Sequence, residues 1–355
     1  MGQLAGDGFF TKQCHAWFEQ YFGCEKALLT HSCTAALEIA ALLLDLQPGD
    51  EVIMPSYTFV STANAFVLRG AIPVFVDIDR TTLNISSEAV LAAITSQTKA
   101  IVPVHYAGVS CDMTSLVSIA KEYNLFIIED AAQALLSMFK NRPVGTYGDL
   151  SCFSFHETKN IISGEGGALI INNPLLAERA EMIREKGTNR SRYFRGQVDK
   201  YTWVDLGSSY LPGEIIAAFL WAQLEKAEWI ISQRLLLWHQ YASELKTLEG
   251  NSLLRLPVIP NECQHNAHMF YLILQSSIHR DQFISRMKTC GVQCVFHYIP
   301  LHSSPMGLQV TRTSGSMQNT DSISSSLVRL PLWLGLDVAR VVVDIEKCLL
   351  SFNNP

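Results

Sequence analysis

Short apolar segments alternate with helical patterns along the first half of the chain. Runs rich in β-branched and aromatic residues predict buried strands at residues 27–30, 52–55, 72–77, 100–105 and 125–130. Between them, apolar residues three and four positions apart predict helices at residues 9–22, 88–94 and 115–123. Strands that alternate with helices are typical of α/β proteins, in which helices flank a mostly parallel sheet. Ligands are then expected at the carboxyl ends of the strands.

The pattern changes in the last third of the chain. A helix is predicted over residues 214–231, and a second one continues to residue 248. Beyond Pro257, strands are predicted at 268–274 and 292–297, helices at 280–289, 322–328 and 338–350, and a loop at 303–321. Because a chain of 355 residues suits two domains, we expect a large domain over residues 1–230 and a smaller α+β domain over residues 231–355.

Composition limits the classes of function. With 48% hydrophobic and 17% charged residues, the chain can bury a large core, and its net charge of −6 does not favour nucleic acid or an anionic membrane as a partner. The first eight residues lack the features of a signal peptide, and no apolar run is long enough to span a membrane. Nine scattered cysteines indicate a reducing compartment, and nothing near Cys290 and Cys294 completes a zinc site. We therefore expect a cytoplasmic protein without a metal site.

A lysine that follows an aromatic run is the first candidate for chemistry. Residues 152–155 read Cys-Phe-Ser-Phe, Lys159 follows them, and a glycine-rich turn comes at residues 164–167. A lysine in such surroundings is readily desolvated, which lowers its pKa and makes its amine nucleophilic. Upstream, Asp130 ends a predicted buried strand. The pair suits pyridoxal 5′-phosphate (PLP), because the lysine can form a Schiff base and the aspartate can pair with the pyridinium nitrogen.

Two further positions at strand ends have both a structural and a functional interpretation. Ser32 and Thr34 lead into a helix, so this turn is either an anion site at the helix N-terminus or an ordinary N-cap. Phe59 lies where a strand gives way to a helix, so its ring either stacks on a flat cofactor or packs in the core. Since Thr34, Phe59, Asp130 and Lys159 all follow or end predicted strands, we expect them to converge at one edge of the sheet.

A polar segment at residues 187–207 carries the other candidate chemistry. It is long for a loop within a compact domain, and loops of this length are usually functional or disordered. Its Arg190, Arg192 and Arg195 could bind a diphosphate through charge-assisted hydrogen bonds. A solvated surface loop is the alternative.

Several segments together resemble one enzyme family. They lie in order at residues 32–35, 54–62, 103–108, 129–133, 153–160 and 165–167. The chain resembles the PLP-dependent sugar aminotransferases of the DegT/DnrJ type over nearly its whole length. The longer matches at residues 184–191 and 296–302 are similar to the members that make dTDP-4-amino-4,6-dideoxygalactose for enterobacterial common antigen.

This resemblance implies a fold type I PLP-dependent transferase, usually a homodimer with active sites at the subunit interface. Lys159 would carry the cofactor, Asp130 would face the pyridinium nitrogen, Phe59 would stack on the ring, and Gln133 would lie beside it. The phosphate would be held by Thr34, Ala35 and Ser154. Contacts to the substrates are expected from Arg190, Arg192, Arg195, Tyr210, His297 and Tyr298. His156 is expected to be an ordinary packed residue.

The implied reaction moves an amino group from L-glutamate, through PLP, to C4 of dTDP-4-keto-6-deoxy-D-glucose. Amination from opposite faces of this acceptor gives the galacto or the gluco epimer, and both remain open, as does another keto sugar nucleotide.

The chain also departs from the family pattern. Leu211 stands where some relatives place a phosphate-binding asparagine from the partner subunit, and relatives usually carry an extended segment before residues 6–8. An inactive, N-terminally truncated PLP-fold protein is therefore one alternative. A PLP-dependent sugar dehydratase is another, but those relatives have histidine in place of the lysine, so Lys159 argues against it.

Overall fold

A mostly parallel sheet forms the centre of the first part of the protein. The computed structural model describes residues 4–250, 253–350 and 352. Within them, the eight strands lie across the sheet in the order β1 (Lys26–Thr30), β9 (Gly167–Ile171), β8 (Leu150–Ser154), β5 (Phe126–Asp130), β4 (Thr98–Ile101), β2 (Glu51–Pro55), β3 (Ile72–Val76) and β14 (Arg312–Thr313). Neighbours from β8 to β14 pair parallel, whereas β9 runs antiparallel to both β8 and β1. The α/β prediction is therefore confirmed.

Helices cover both faces of this sheet. They are α1 (Phe9–Phe22), α2 (Cys33–Leu43), α3 (Val60–Val67), α4 (Ser87–Ala93), α5 (Met113–Tyr123), α6 (Pro174–Arg184) and α8 (Glu214–Leu224). Successive strand residues point to opposite faces, so Ile127 packs with α1, α4, α5 and α8, whereas Ile128 packs with α2, α3 and α6. Both faces are buried in this way, which explains why the strands read as continuous apolar runs. A short helix α7 (Arg190–Phe194) lies in the polar segment, and a single 3₁₀ turn covers Tyr106–Gly108.

The C-terminal part has its own sheet and core. Its antiparallel strands lie in the order β10 (Leu254–Arg255), β12 (Phe270–Leu274), β15 (Leu327–Leu330) and β13 (Val295–Phe296). Its helices are α9 (Ala227–Glu244), α10 (Lys246–Gly250), α11 (Ser277–Thr289), α12 (Gly307–Val310), α13 (Gln318–Ser326) and α14 (Val338–Leu350). The core between them includes Trp238, Phe270 and Phe283. A small third sheet joins β6 (Met138–Phe139), β7 (Arg142–Pro143) and β11 (Cys263–Gln264). The division at residue 230 falls within α9 and stays a prediction.

Several predicted boundaries are wrong. The helix over residues 214–231 breaks between α8 and α9, which lets Leu224, Ala227 and Ile230 join one core cluster. The strands over 100–105 and 292–297 are shorter than predicted, and Pro103, which has no N–H to donate, lies just beyond the end of β4.

The predicted loop over residues 303–321 is also wrong, since it holds α12, β14 and the start of α13. The predicted helix over 322–328 ends at Ser326, where β15 begins between its partner strands. In both segments, pairing with strands that are distant in sequence determines the secondary structure.

Glu129 holds the loop between β7 and β8 in place. Its buried carboxylate accepts hydrogen bonds from the backbone N–H groups of Gly145, Tyr147 and Gly148 at 2.7–2.9 Å and lies 3.0 Å from Nε2 of His105. In Glu129→Gln an N–H₂ group would face some of these donors. We expect the free energy of unfolding to fall by about 2–4 kcal/mol. Urea unfolding measures this, with the exposed Glu25→Gln as control. A loss equal to that of the control would contradict the assignment.

Candidate active site

A cavity of about 580 Å³ opens at the carboxyl ends of the central strands. Its wall includes Thr58 after β2, Val104 after β4, Asp130 at the end of β5 and Ser154 at the end of β8. The N-terminal turn of α2 and residues of the C-terminal part complete the wall. Among the residues predicted from the sequence, those that line it are Thr34, Phe59, Asp130, Gln133, Ser154, Lys159, His297 and Tyr298. The predicted convergence at one edge of the sheet is therefore confirmed.

Lys159 lies half-buried in the turn that follows β8. The turn is closed by backbone bonds from Lys159 N–H to the His156 carbonyl (2.9 Å) and from Glu157 N–H to the Gly164 carbonyl (2.9 Å). Desolvation lowers the pKa of the Lys159 amine and outweighs the opposing influence of Cys33 and Asp130. The amine is thus more easily deprotonated than an ordinary lysine, which suits a nucleophile or a base.

The glycine at the end of this turn is required by a close approach. A side chain at Gly167 would collide with the backbone of Ser32 and Cys33, because a Cβ there would lie about 2.4–2.5 Å from their atoms. The glycine therefore lets β9 pass against the start of α2. Within the predicted glycine-rich turn, Gly167 is fixed by this neighbouring element, whereas Gly166 lines the cavity.

Asp130 is buried at the floor of the cavity. Its carboxylate accepts hydrogen bonds from the Thr62 hydroxyl (2.7 Å) and the Ala132 N–H (3.2 Å), and the Thr62 and Thr58 hydroxyls lie 2.8 Å apart. Burial raises the pKa of Asp130 in spite of these donors and of Lys159. A buried carboxylate facing a cavity is suited to a cationic partner. Thr58 and Thr62 were missed by the sequence analysis, although both lie in a segment that carried the resemblance.

Gln133 and Tyr298 connect the two parts of the chain beside the cavity. The Gln133 side chain donates to the Tyr298 hydroxyl (3.0 Å) and accepts from the Ala107 N–H (2.7 Å). His297 is buried, and its Nδ1 lies 3.0 Å from the Tyr106 hydroxyl. Desolvation, with smaller influences from Arg329 and Lys159, lowers the pKa of His297 to about 2, so its ring is neutral near pH 7.

The start of α2 has the N-cap that one interpretation of its sequence predicted, and the anion site stays a prediction. The Ser32 side chain accepts from the Ala35 N–H at 3.1 Å, which confirms the N-cap. The Thr34 hydroxyl lies 2.8 Å from the Ser61 hydroxyl, and both residues line the cavity together with Ser154. Ala35 is buried and does not line the cavity. The capping bond uses its N–H, and its expected phosphate contact stays a prediction.

The exposure of the Phe59 and His156 side chains tests two predictions made from the sequence. Phe59 is 57% exposed, and its ring centre lies 6.4 Å from that of Tyr298, so it is not a core aromatic. His156 is half-buried, lines the cavity and lies 3.6 Å from the Glu165 carboxylate. The interpretation of His156 as an ordinary packed residue is therefore wrong: the turn that presents Lys159 also turns this ring towards the cavity.

The predicted arginines lie away from this chain's cavity. Arg190 pairs with Glu185 (3.3 Å), Arg192 with Glu178 (3.2 Å) and Arg195 with Glu181 (2.8 Å). Tyr210 also lies outside the wall of the cavity; it is buried, and its carbonyl accepts from the His31 N–H at 2.9 Å. Conversely, Arg329 and His268 line the cavity and were not predicted. The missed strand β15 explains the omission of Arg329.

Other kinds of site find little support in the described part of the chain. Among residues 4–250, 253–350 and 352, no three His, Cys, Asp or Glu side chains are grouped so that they could hold a metal ion. No helix within these ranges has the length and apolar character needed to cross a membrane.

A family model for the DegT/DnrJ/EryC1/StrS aminotransferase family matches residues 2–346. The chain belongs to this family. The spore coat polysaccharide biosynthesis protein SpsC of Bacillus subtilis is 32% identical over 354 residues, covering 95% of this chain and 90% of the relative. Among solved structures, aminotransferase TlmJ from Streptoalloteichus hindustanus is 29% identical, with a TM-score of 0.90 over 99% of this chain and 93% of that one. A putative sugar aminotransferase from Streptococcus pneumoniae in its PLP form, 24% identical, shares the fold, with a TM-score of 0.89 over 99% of this chain and 93% of that one.

The protein is thus a PLP-dependent sugar aminotransferase with the fold type I architecture. Its cavity fits the cofactor that the family uses. Lys159 supplies an amine of lowered pKa, Asp130 supplies a buried carboxylate, and hydroxyls of Thr34, Ser61 and Ser154 lie near the N-terminal turn of α2, where anions bind well. These residues would hold the group.

Proposed function

We propose that the enzyme moves an amino group from L-glutamate to C4 of dTDP-4-keto-6-deoxy-D-glucose and releases dTDP-4-amino-4,6-dideoxy-D-galactose. The observation that carries the proposal is the placement of the Lys159 amine and the Asp130 carboxylate in one cavity at the strand ends. The matches at residues 184–191 and 296–302 support the choice of acceptor. The gluco epimer and other keto sugar nucleotides are the alternatives.

Lys159 and Asp130 have different roles in the proposed reaction. Bound PLP supplies an electron sink that stabilises negative charge at the substrate carbon. In the donor half of the reaction the Lys159 amine would take the proton from the α-carbon, since its lowered pKa favours the free base. In the acceptor half it would deliver a proton to C4 of the amino sugar. The Asp130 carboxylate would face the positively charged part of bound PLP, and the Thr62 hydroxyl fixes the orientation of this carboxylate.

The biological role that we propose is the supply of an amino sugar for a surface polysaccharide, such as enterobacterial common antigen. The role of SpsC in spore coat polysaccharide biosynthesis supports the general part of this assignment. The residue matches at 184–191 and 296–302 support the specific part. We expect the enzyme to act in the cytoplasm.

A homodimer with shared active sites is part of the proposal. Exposed apolar side chains between residues 194 and 219 support it, since apolar groups left open to solvent often mark interaction sites. They are Phe194, Trp203, Val204, Leu206, Ile215 and Phe219. Light scattering of the purified protein tests the proposal, and a mass near 39.5 kDa, that of one chain, would contradict it.

The decisive experiment supplies the purified holoenzyme with L-glutamate and dTDP-4-keto-6-deoxy-D-glucose. We expect a new amino sugar nucleotide by mass spectrometry, and NMR coupling constants at C4 of the product distinguish the galacto from the gluco epimer. A protein that binds PLP but shows no change of absorbance with glutamate would favour a non-catalytic PLP-fold protein. Loss of water from the sugar without amination would favour a dehydratase.

The arginine segment provides a prediction about the acceptor. Arg190, Arg192 and Arg195 are each replaced by alanine. For at least one variant we expect the apparent KM for the acceptor sugar nucleotide to rise about ten- to a hundredfold. The reason is that a charged contact to a diphosphate contributes about 1.5–3 kcal/mol. In the proposed dimer this segment would reach the partner's cavity, since it lies outside its own. Steady-state kinetics measures the constant.

The glutamate half-reaction is the internal control, because glutamate carries no diphosphate. The ion pairs of these arginines with glutamates could instead be purely structural. In that case each variant would lose thermal stability and still bind the dTDP-sugar like the wild type. That outcome would remove the segment from the acceptor site.

A further inference from the structure

His268 lies at the boundary between the main cavity and a second one. The second cavity, of about 540 Å³, shares part of its wall with the first, and the residues that line both are Thr158, Lys159, His268 and Arg329. His268 is only 5% exposed, so its ring is a buried polar group that needs partners within the protein. The roles proposed above for Lys159 and Asp130 leave this ring unused.

The backbone at His268 is held in place by a buried arginine. Arg234, on α9, donates to the carbonyls of Ala267 (3.1 Å), His268 (2.9 Å) and Leu332 (3.1 Å). His268 also comes two residues before β12, which lies between β10 and β15 in the C-terminal sheet. A ring on such a support keeps one position relative to the cavities.

A chain of side-chain amides fixes which nitrogen of the His268 ring carries the proton. The Asn160 Nδ2 group donates to the Asn266 carbonyl (2.7 Å), so the Asn160 Oδ1 atom is the acceptor that lies 3.1 Å from Nδ1 of His268. Nδ1 therefore carries the hydrogen. Asn266 is fixed in turn, because its own Nδ2 donates to the carbonyls of Gln133 and Leu135 at 2.9 Å. In the neutral ring, Nε2 is then a bare acceptor.

This Nε2 atom is open to a donor. Among the residues that the structure describes, none makes a hydrogen bond to it. Desolvation, with smaller influences from Lys159, Arg329, Arg234 and His297, lowers the pKa of His268 well below its ordinary value. The ring is therefore neutral near pH 7. A buried neutral acceptor at a cavity wall is suited to an N–H group that reaches the boundary of the two cavities.

The Lys159 amine is the donor that this geometry favours. Asn160, whose side chain holds Nδ1, is the next residue along the chain, so the ring lies against the turn that presents Lys159. Among the charged neighbours, Lys159 has the largest influence on the His268 ring, ahead of Arg329. A neutral amine has two N–H groups and one lone pair, and a fixed acceptor for one N–H restricts the direction of the lone pair. An uncharged acceptor does this without holding the lysine as an ammonium, as a carboxylate would.

We propose that Nε2 of His268 accepts a hydrogen bond from the free amine of Lys159 and so aims the lone pair of this amine at the substrate carbon. The inference rests on the proposed function, in which Lys159 is the base, and adds to it the residue that orients this base. His268 is a positioning residue, since it acts through Lys159.

The test compares His268→Asn with His268→Gln. The Asn amide can replace the Nδ1–H donor towards Asn160 and offers nothing at the position of Nε2, whereas the Gln amide oxygen can reach that position. In the holoenzyme, stopped-flow absorbance should show the rate constant of the glutamate half-reaction falling about ten- to a hundredfold in His268→Asn, because the base is misaligned. His268→Gln should recover most of this loss. The apparent dissociation constant of glutamate should stay within about twofold of the wild type in both, and the exposed His239→Asn on α9 is the control.

Nitrogen NMR of the histidine-labelled holoenzyme gives a readout that does not depend on turnover. The His268 signals, assigned by their absence from His268→Asn, should show a neutral ring with the proton on Nδ1. Excess L-glutamate would leave the Lys159 amine free, and the Nε2 signal of His268 should then shift. In Lys159→Ala this shift should be lost, because the donor is missing.

Each outcome is decisive for the inference. A proton on Nε2, or an Nε2 shift that persists in Lys159→Ala, would assign another partner to the ring and overturn it. Equal slowing of both His268 variants would show that the packing of the ring matters and not its acceptor, and would overturn it as well. A normal rate in His268→Asn beside an inactive Lys159→Ala would count against this inference alone. Near-normal turnover of Lys159→Ala would count against the proposed function itself.

Discussion

Lys159→Ala is expected to abolish amino transfer and to leave the fold intact. In the proposed reaction this amine, which lines the cavity, is the nucleophile and also the base, and its lowered pKa suits it to move the substrate proton. Positioned acid–base catalysis alone contributes about 10²–10⁴-fold, and loss of covalent attachment adds to it. We therefore expect turnover to fall by at least about 10⁴-fold. Turnover is measured with L-glutamate and the keto sugar nucleotide.

The control for this variant is Lys121→Ala, which removes an exposed lysine of α5. Circular dichroism and Tm should agree among both variants and the wild type within the effect expected of a surface change. Near-normal turnover of Lys159→Ala would show that another group carries the chemistry.

Asp130→Asn should slow the glutamate half-reaction far more than it weakens retention of the cofactor. An amide keeps the shape of the side chain and loses the charge that holds a cationic partner. Removing one preorganised electrostatic contact of this kind typically costs about 10²–10³-fold in rate. The Asn side chain also has a single acceptor oxygen, whereas the Thr62 hydroxyl and the Ala132 N–H both donate at this position. Stopped-flow absorbance after mixing with glutamate measures the rate.

Retention of the cofactor is followed separately by equilibrium dialysis. Asp281→Asn, at an exposed acidic position of α11, is the matched control. An unchanged half-reaction in Asp130→Asn would remove Asp130 from its proposed role. A variant that loses the cofactor outright would show instead that the carboxylate acts mainly in binding.

The strands and helices of the large sheet were predictable because local pattern and tertiary environment agree there. The strand ending at Asp130 is buried on both faces, so its apolar run is visible in the sequence. The glycine-rich turn after Lys159 was visible too, since Gly167 must be a glycine to pass the start of α2. The cavity residues on these elements could therefore be named in advance.

The C-terminal part was less predictable for a physical reason. The end of β3 illustrates it: the Asp77 carboxylate caps the start of α13 by accepting from the N–H groups of Asn319 and Thr320. That contact spans more than 240 positions and leaves no local signal. Likewise, β15 follows a serine-rich helix and becomes a strand only because β12 and β13 flank it. The predicted helix over residues 322–328 covered the first half of β15, so no strand was predicted that would carry Arg329 to the cavity.

The edge strand β14 has a consequence for how the protein folds while it is synthesised on the ribosome. It pairs with β3, and the Arg312 guanidinium makes two hydrogen bonds to the Glu51 carboxylate at 2.6 and 2.8 Å. The seven other strands of the sheet are complete once residue 171 has been made. Until residue 313 has emerged, the outer edge of β3 is open and could pair with another nascent chain. The sheet is therefore incomplete until the second half of the chain has been synthesised. The need for chaperones during translation should be greatest in that interval.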